Sequence, residues 1–491
     1  MSSAALVRRG LLAALALLAA IAAGLVTAGT ATAVKPAKTF DIGFADYLYG
    51  DAQRSDHEME LTKSVNADVI RVNMPWRFVA AGAEPVNPRD PADPAYNWTE
   101  YDTAIANAAA NGFDVDLTVF WAPNWAEGPN RPSDFEKYPP GSWRPDAGKF
   151  GDFAAAVAER YSGSYVVDGE TLPRVEYFEA WNEPNLSTYI TPQWDGKENA
   201  ASDIYAKLLD AFYAEVKAVN PTSEVVSGGT APYGDDPPKG NQLPNRTRPL
   251  RFEQELLCLS TSNKKSKCPN GASKSPSFDI YAHHPINRLD PPEAKADNKG
   301  DIEVADFGSL TKVMRKAEKL GTTATGGRHD LWANEVWWQT DPPDKVEGFP
   351  WKKHARFTAQ ALYMLWDEGA SNVSFLQLRD AKYTPGEFTL ASYQTGVYTF
   401  NGKRKPSADA VAFPFVTDRK SGKKLLAWGR APEAGKLTIE AKTKGDGGYR
   451  KVASLRVDDR EIFTKNLKIK GKAKLRAKVG GEKSLVWKQK D

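Results

Sequence analysis

The 491-residue sequence has only two cysteines, Cys258 and Cys268, and only one long hydrophobic run, which lies near the N-terminus. Two thiols without a neighbouring His or Cys are too few ligands for a structural metal site. A single apolar run argues against a membrane protein with several spanning helices. No glycine-rich phosphate loop follows the first predicted strand, so a nucleotide-binding sheet loses its main support. Fractions of 41% hydrophobic and 11% aromatic residues exclude a disordered chain.

The hydrophobic run has the features of a secretory signal peptide. Arg8 and Arg9 precede an apolar stretch from Leu11 to about Val26, and small residues occupy positions 31–33. A basic start, a short apolar core and small residues before the cleavage site are typical of a signal that is removed on export. We therefore expect residues 1–33 to be a signal peptide, the mature protein to be secreted, and no stable membrane insertion after cleavage. A twin-arginine signal is the alternative, so the export route stays open.

In an exported protein the two cysteines are expected to form a disulfide. Cys258 and Cys268 flank a segment rich in Lys and Ser. A disulfide that closes so short a loop contributes roughly 2 to 3 kcal/mol, through the reduced chain entropy of the unfolded state. Its expected role is to hold a surface loop in place.

Charge divides the chain into two parts, although the whole sequence has a net charge of only +3. Residues 34–415 contain 41 basic and 53 acidic side chains, a net charge of −12. Residues 416–491 contain 22 basic and 9 acidic side chains, a net charge of +13. This shift predicts two units, 34–415 and 416–491. The longer unit has a length that suits an α/β barrel with inserted loops.

Short apolar runs alternate with amphipathic stretches through residues 34–415. The runs predict eight strands, at residues 40–44, 69–73, 114–120, 175–181, 224–228, 278–283, 330–334 and 372–376. The amphipathic stretches predict helices at residues 102–111, 150–161, 201–219, 306–320, 353–368 and 406–413. Alternating strands and helices form a parallel sheet, and a count of eight favours a closed (β/α)8 barrel over an open sheet.

Residues 416–491 show a different pattern, with short alternating runs between glycine-rich turns. The runs lie at residues 424–428, 436–441, 452–457, 467–469 and 484–487. They predict a small antiparallel β-sandwich. The predicted fold class is therefore α/β, with a (β/α)8 TIM barrel followed by a C-terminal β-sandwich. Lysines that alternate with apolar residues in this region indicate either a solvated outer face or a site for an anionic polymer.

Two glutamates follow an asparagine at the ends of the fourth and seventh predicted strands. Glu183 lies in the string Trp-Asn-Glu-Pro-Asn, and Glu335 lies in Asn-Glu-Val-Trp-Trp. Catalytic groups of a (β/α)8 barrel lie beyond the C-terminal ends of its strands, so the two carboxylates are predicted to face each other across the mouth. Acetal cleavage needs such a pair, because one carboxyl group protonates the leaving oxygen while the other attacks the anomeric carbon. A lone Glu at a strand end is more often a solvated charge.

The sequence resembles the clan A glycoside hydrolases, in particular families 39 and 5. Residues 181–184, Trp-Asn-Glu-Pro, are similar to the acid/base signature of these (β/α)8 enzymes, and residues 69–72, 122–126, 279–285 and 405–406 resemble further clan segments. The resemblance implies that Glu183 is the general acid/base and Glu335 the nucleophile of a retaining enzyme. It also implies that Asn182 binds the sugar 2-hydroxyl and that Arg71 holds Glu335 ionised by charge and hydrogen bonding.

Two positions depart from the clan pattern. Clan members often have a Tyr after the His-Pro of the sixth strand, where this chain has Ile286. They normally have a Trp on the eighth strand as the floor of the site, where this chain has Phe375. A smaller aromatic floor leaves room for a different sugar ring, so no member's substrate is transferred to this protein. A variant or lost activity is the alternative.

Neighbouring histidines and several tryptophans complete the predicted site. Adjacent strand residues point to opposite faces, so only one of His283 and His284 faces the mouth, and no third metal ligand is nearby. His284 is interpreted as a hydrogen-bond partner of the substrate or the nucleophile, with a core histidine as the alternative. Tryptophans on loops after strands are candidate platforms for sugar rings, with core packing as the alternative. The candidates are Trp76, Trp121, Trp125, Trp337 and Trp338, with Trp143, Trp194 and Trp351 as further members of the set.

The predicted function is the cleavage of β-linked glycosides or polysaccharides by a secreted retaining glycosidase that uses Glu183 and Glu335. No cofactor, no metal and no nucleic acid partner are expected. Cell-wall or plant polysaccharides are candidate substrates, and the protein is expected to be a monomer. A non-catalytic glycan-binding barrel and a transglycosylase with the same glutamate pair are the alternatives.

Overall fold

A computed structural model describes residues 34–240 and 243–489 of the chain. The predicted signal peptide, residues 1–33, lies outside the described residues. All helices and strands described below belong to one compact unit, which begins at Pro36. Within the described ranges, no helix is both long enough and apolar enough to cross a membrane.

Eight parallel strands close into a barrel in which each strand pairs with its neighbours in sequence. The strands are short runs rich in β-branched and aromatic residues, which suit a sheet that is covered on both faces. They are β1 Asp41–Ala45, β2 Val69–Pro75, β3 Asp114–Phe120, β4 Tyr177–Ala180, β5 Glu224–Ser227, β6 Ile280–His283, β7 Asp330–Val336 and β8 Asn372–Leu376. The predicted barrel is confirmed, and the predicted strand ends differ from the observed ones by at most two residues.

A helix follows each barrel strand and buries its apolar side against the outside of the barrel. The helices are α1 Ser55–Lys63, α2 Thr99–Asn111, α3 Ala147–Arg160, α4 Ala200–Val219, α5 Pro249–Leu256, α6 Gly308–Leu320, α7 Trp351–Asp367 and α8 Pro406–Ala412. The sequence prediction did not include α1 or α5. Their periodicity is weak because α1 has only two large apolar residues, Met59 and Leu61, and α5 is only 8 residues long.

The interior of the barrel has an apolar lower layer and a polar upper layer. Val226, Ile280, Ala282 and Trp332 pack together in the lower layer, with Tyr177 against them. Towards the C-terminal ends of the strands, the buried polar side chains are those of Arg71, Asp116, Thr118, Glu179 and Asn334. Burial of a charged side chain destabilises the folded state unless the charge is paired. The cluster of buried charges in the upper layer therefore indicates a functional site.

The C-terminal region contains two antiparallel sheets. Its strands are β9 Phe415–Ser421, β10 Lys424–Arg430, β11 Gly435–Thr443, β12 Arg450–Val457, β13 Ile462–Lys468, β14 Ala473–Val479, β15 Glu482–Lys483 and β16 Trp487–Gln489. One sheet has the order β9-β10-β13, and the other has the order β12-β11-β14-β15, with β16 also paired to β14. The predicted antiparallel region is confirmed, although β9 and β14 were not among the predicted runs. The strict alternation of apolar and basic residues in β14 is the signal that could have identified it.

Trp428 on β10 packs the C-terminal sheets against the barrel. Its ring is fully buried, and its centroid lies 6.0 Å from that of Phe40, 5.7 Å from that of Trp366 and 5.6 Å from that of Tyr363. These aromatic residues belong to one buried core that includes both the barrel and the sheets. That residues 416–491 form a domain of their own therefore stays a prediction.

Cys258 and Cys268 form a disulfide, as the sequence predicted. The bond closes the loop that follows α5, and Cys258 is fully buried beside that helix. The lysines of the loop, Lys264 and Lys265, are exposed. The disulfide thus joins an exposed loop to the buried end of a helix.

Trp428→Ala is expected to lower the free energy of unfolding by about 3 to 5 kcal/mol, because it removes a buried aromatic ring from a packed interface. Urea unfolding followed by circular dichroism measures the change. The control is Leu485→Ala in the connection between β15 and β16, where the side chain is 37% exposed, and we expect a change below about 1 kcal/mol. If the two variants have equal stability, the barrel and the sheets are not packed through Trp428.

Candidate active site

Glu183 lies in a turn just beyond the end of β4. The strand ends at Ala180, and Trp181 and Glu183 then have left-handed backbone conformations, with φ values of 79° and 38°. The amide of Glu183 donates a hydrogen bond of 2.9 Å to the carbonyl oxygen of Gly229, in the loop after β5. Left-handed backbone is unfavourable for residues other than glycine and persists where the surroundings enforce it, often at functional sites. The turn therefore holds the Glu183 side chain in a defined position beyond the end of β4.

His284, directly after β6, brings the two predicted catalytic glutamates together. Its Nδ1 lies 3.0 Å from Oε1 of Glu183 and 3.6 Å from Oε2 of Glu335. Burial lowers the pKa of His284 to about 4, so the imidazole is neutral near pH 7. Its Nε2 lies close to the backbone of Gly229. A Cβ atom on residue 229 would be only 2.2 Å from this nitrogen, so residue 229 has to be a glycine. Both carboxyl groups thus converge on one neutral imidazole nitrogen.

His283 points away from the barrel mouth. Its Nδ1 shares a hydrogen bond of 2.8 Å with the hydroxyl of Thr230, and its Nε2 lies 3.0 Å from the carbonyl oxygen of Ile302. The opposite directions of His283 and His284 follow from strand alternation. Among residues 34–240 and 243–489, no group of three or more His, Cys, Asp or Glu side chains is arranged to hold a metal ion.

Arg71 on β2 links the fourth and seventh strands. Its Nε donates a hydrogen bond of 2.8 Å to Oε2 of Glu179, and its Nη2 donates one of 2.8 Å to Oδ1 of Asn182. Its Nη1 lies 3.6 Å from Oε2 of Glu335, an ion pair but not a hydrogen bond. The expected hydrogen bond from Arg71 to Glu335 is therefore absent from the structure. Asn182 accepts a hydrogen bond from Arg71 through its oxygen, and its side chain also forms a hydrogen bond with the phenol of Tyr189.

Glu179 is the main functional residue that the sequence analysis missed. It is fully buried on β4 and accepts hydrogen bonds from Arg71, from the Thr118 hydroxyl at 2.7 Å and from the Gly229 amide at 2.9 Å. Burial alone would raise the pKa of Glu179, but the charge and hydrogen bond of Arg71 outweigh it and the pKa is lowered. A Glu on the inward face of a strand, four residues before Glu183, is the signal that could have identified it.

Asp116 on β3 completes the buried group of acids around Arg71. Its Oδ2 lies 3.7 Å from Nε of Arg71. Burial and the nearby charge of Glu179 raise the pKa of Asp116 well above its usual range, although Arg71 opposes the shift. Of the two acids, Asp116 therefore holds a proton more readily, and Glu179 is the stronger ion-pair partner of Arg71.

The two predicted catalytic carboxyl groups differ in their electrostatic surroundings. Burial raises the pKa of Glu183 to about 7, and the positive charge of Arg71 opposes this shift. Burial also raises the pKa of Glu335, where His284 acts to lower it, Glu183 to raise it and Arg71 to lower it. Of the two, only Glu335 lies within ion-pair distance of Arg71, at 3.6 Å. Near neutral pH, Glu183 therefore keeps a proton in a large fraction of the molecules.

Among the five main candidates for sugar binding, Trp121 and Trp125 remain partly exposed. Trp121 stacks on Tyr189, with ring centroids 5.5 Å apart and an interplanar angle of 15°. The indole nitrogen of Trp125 donates to the carbonyl oxygen of Ala80 at 3.4 Å. Both rings keep some surface for a ligand, so their assignment stays a prediction.

Trp76 and Trp338 are fully buried, which contradicts a role in sugar binding. Trp76 stacks on Phe153 of α3, with centroids 5.3 Å apart, and Trp338 packs against Phe357 of α7 at 5.6 Å. A ring covered on both faces offers no platform to a sugar. Trp337 is 6% exposed and Trp194 is 1% exposed, so neither offers an open ring face, whereas Trp143 and Trp351 are partly exposed.

Phe375 does not face the barrel mouth, so the expectation that it forms the floor of the site is wrong. Its ring packs on Phe44 in the outer core, with centroids 5.7 Å apart. Side chains alternate along a strand, and the next residue, Leu376, points inward instead. Leu376 and Trp337 pack together with Ala45, and Ile286 and Tyr393 lie against them. This apolar cluster, and not Phe375, is the hydrophobic part of the mouth.

Three tyrosines near the glutamates were also absent from the sequence prediction. They are Tyr189, Tyr233 and Tyr393, on the loops after β4, β5 and β8. Burial raises the pKa of each phenol, and the charge of Glu183 adds to the shift in each case. All three are therefore within electrostatic reach of Glu183. They lie on three separate loops, and the spacing of residues along the sequence does not show that these loops are close together.

Comparisons with known proteins support the fold. No protein-family model matches the sequence, and no curated protein matches it either. The chain is similar to the structure of the virulence factor SghA with its substrate analog salicin, at 11% identity and a TM-score of 0.50, over 77% of this chain and 95% of that one. At this identity the likeness shows a shared fold.

Two further solved structures are similar at lower scores. One is a GH39 enzyme from Xanthomonas axonopodis pv. citri, at 14% identity and a TM-score of 0.49, over 91% of this chain and 95% of that one. The other is a glucosidase from Croceicoccus marinus, at 13% identity and a TM-score of 0.47, over 86% of this chain and 92% of that one.

Glu179→Gln is expected to lower the pKa of Glu335, because the charge of Glu179 is one of the causes that raise it. The free energy of unfolding is expected to fall by about 3 kcal/mol, because buried Arg71 loses its ionised partner. Carbon NMR of labelled Glu carboxyl groups measures the pKa, and urea unfolding measures stability. Thr118→Val removes a hydrogen bond to Glu179 but no charge, and it should leave the pKa of Glu335 unchanged. Identical titration of Glu335 in E179Q and wild type would contradict this network.

Proposed function

We propose that the protein is a secreted retaining glycoside hydrolase, with Glu183 as general acid/base and Glu335 as nucleophile. The observation that carries the proposal is the meeting of both carboxyl groups at Nδ1 of His284, 3.0 Å and 3.6 Å away. Two carboxyl groups that both lie within 3.6 Å of one imidazole nitrogen are close enough to act on the same glycosidic bond. Their surroundings also differ, which allows one to be an acid while the other is a base.

In the first proposed step, the Glu335 carboxylate attacks the anomeric carbon while the bond to the leaving oxygen breaks. The proton of Glu183 moves to that oxygen, and a glycosyl ester of Glu335 is formed. In the second step, water attacks the same carbon and gives its proton to the Glu183 carboxylate. The ester bond breaks, and both glutamates return to their starting states. No cofactor takes part in either step.

The neighbouring residues have supporting roles in this mechanism. Asn182 is held by hydrogen bonds with Arg71 and Tyr189, and the second N–H of its amide group can donate to a sugar hydroxyl. Arg71 provides a positive charge 3.6 Å from Glu335, which favours the ionised nucleophile. Trp337 is only 6% exposed and packs against Tyr393, so it supports the apolar wall of the mouth from behind. The proposed enzyme is a monomer that acts on a β-linked carbohydrate.

The pH dependence of kcat/KM should have a basic limb with a midpoint near 7. Glu183 must be protonated to act as acid, and burial raises its pKa to about 7. Activity on a glycoside with a poor leaving group should therefore fall as the pH rises above this value. Steady-state kinetics from pH 4 to 10 measures the limb. In Glu183→Gln the limb should disappear, and its persistence would assign it to another group.

Glu335→Ala is expected to reduce kcat by about 10³-fold or more for any leaving group, because the nucleophile is lost. Glu183→Ala should reduce kcat by about 10² to 10⁴-fold for a poor leaving group, and less for an activated aryl glycoside that needs little protonation. A panel of aryl glycosides and polysaccharides identifies a usable substrate for both assays. The exposed Glu387→Ala, on the loop after β8, is the matched control and should retain wild-type turnover.

Other outcomes of these assays would favour the alternatives. Near-wild-type turnover by E335A, or NMR evidence that the first product has inverted anomeric configuration, would refute the proposed mechanism. Oligosaccharide binding without cleavage of even activated glycosides would indicate a glycan-binding barrel. Transfer to an added sugar acceptor in place of water would indicate a transglycosylase.

A further inference from the structure

The larger C-terminal sheet has one buried face and one basic face. Side chains alternate along a strand, and the residues of β11 and β14 that point into the core include Leu437, Ile439, Leu475 and Ala477. The residues between them point outward. The outward side chains with a positive charge, which we call the basic face, are those of Lys436, Lys442, Lys451, Arg456, Lys474, Arg476, Lys478, Lys483 and Lys488. Among the described strands of this sheet, Glu440 is the only acidic residue that points the same way.

Rows of like charge cross the basic face. Lys442 on β11 pairs in register with Lys474 on β14, which pairs in turn with Lys488 on β16. Adjacent strands lie about 4.8 Å apart, so these three lysines start from neighbouring positions. Lys478 likewise lies opposite Lys483 on β15. Like charges directly opposite each other destabilise a sheet, so a function of the charges is the simplest reason for the rows.

Protection of a sheet edge does not account for the rows. Lysines on edge strands commonly prevent pairing with another chain, but β11 and β14 are inner strands, with β12 on one side and β15 and β16 on the other. A face that is only solvated normally mixes charges of both signs. Here Glu440 binds Arg476 and Lys478, at 2.7 Å and 3.1 Å. In the described part of the chain, Lys474 and Lys488 have no ion-pair partner.

An aromatic ring lies beside these charges. Tyr449, in the connection between β11 and β12, is partly exposed, and the guanidinium carbon of Arg476 lies 4.0 Å from its ring centroid. A ring next to cations offers an apolar surface for the C–H face of a sugar and a positive charge for its carboxylate. An array of charges over several strands fits a polymer with repeated negative charges better than one small anion.

We propose that the basic face binds an acidic polysaccharide whose sugars carry carboxylate groups. The choice of a polysaccharide over another polyanion rests on the proposed glycosidase function. The basic face points away from the buried core that joins the sheets to the barrel. A chain bound there leaves the mouth free and raises the effective concentration of the enzyme on material that contains its substrate.

The test measures binding of the full-length protein to polygalacturonate and to its methyl ester, which has the same backbone without the charge. The protein carries Glu335→Ala, so that the polymer stays intact during the measurement. Isothermal titration at low ionic strength should show at least about tenfold tighter binding to polygalacturonate than to the ester. The affinity should fall as salt is added, because a polyanion releases its counterions when it binds.

Two double variants locate the binding on the basic face. K474Q/K488Q removes two neighbouring charges of one row and should weaken binding to polygalacturonate at least about fivefold. K264Q/K265Q, in the loop closed by the disulfide, removes the same net charge from exposed lysines elsewhere and is the matched control, which should bind like the parent. K474R/K488R keeps the charge and should keep the binding. Urea unfolding should show K474Q/K488Q to be no less stable than the parent, because like-charge repulsion is removed.

Other outcomes would overturn this inference. Equal affinity for polygalacturonate and its methyl ester would show that charge plays no part. Equal losses in the two glutamine variants would indicate an effect of net charge without a site, and a loss in K474R/K488R would show that charge alone does not explain binding. Tighter binding to duplex DNA or to phosphatidylglycerol vesicles would assign the basic face to nucleic acid or to a membrane. None of these results involves cleavage, so the hydrolase proposal would stand, and a failure to cleave any glycoside would reject that proposal without changing the measured binding.

Discussion

One buried cation, the guanidinium of Arg71, determines the electrostatics of the barrel mouth. Four carboxyl groups lie in the same small region, those of Asp116, Glu179, Glu183 and Glu335. Burial raises the pKa of three of them, and only Glu179, which accepts the 2.8 Å hydrogen bond from Arg71, has a lowered pKa. In a medium of low polarity one cation cannot keep four neighbours ionised. The geometry of the Arg71 contacts therefore decides which carboxyl groups carry charge.

This arrangement explains what the sequence could predict and what it could not. The strands are apolar runs with polar ends, and the paired Asn-Glu strings mark two strand ends, so the barrel and the candidate glutamates follow from local patterns. The contact between Arg71 and Glu179 depends on the relative heights of β2 and β4, which spacing along the chain does not give. The sequence prediction placed Phe375 at the mouth, where the structure has Leu376. The cause is similar, because a shift of one residue along a strand moves a side chain to the opposite face.

The charge division of the sequence has a partial structural explanation. Two arginines of the basic C-terminal region, Arg430 and Arg460, bind the carboxylate of Asp68 at the base of β2, at 2.7 Å and 2.8 Å. Arg430 is only 2% exposed. Part of the positive charge of the C-terminal region is therefore paired with a negative charge of the barrel where the two regions meet. Lys465, on the other C-terminal sheet, is exposed and fits a solvated face, which needs no anionic ligand.

A neutral histidine between two carboxyl groups suits a reaction in which negative charge moves from one to the other. In the proposed first step, Glu335 loses its charge to the new ester bond while Glu183 gains charge as its proton leaves. His284 has a pKa of about 4, and its Nδ1 lies within 3.6 Å of both groups. A neutral N–H can donate to either carboxylate without giving up its proton. A charged imidazolium would instead stabilise both glutamates as anions, and Glu183 would lose the proton that the leaving oxygen requires.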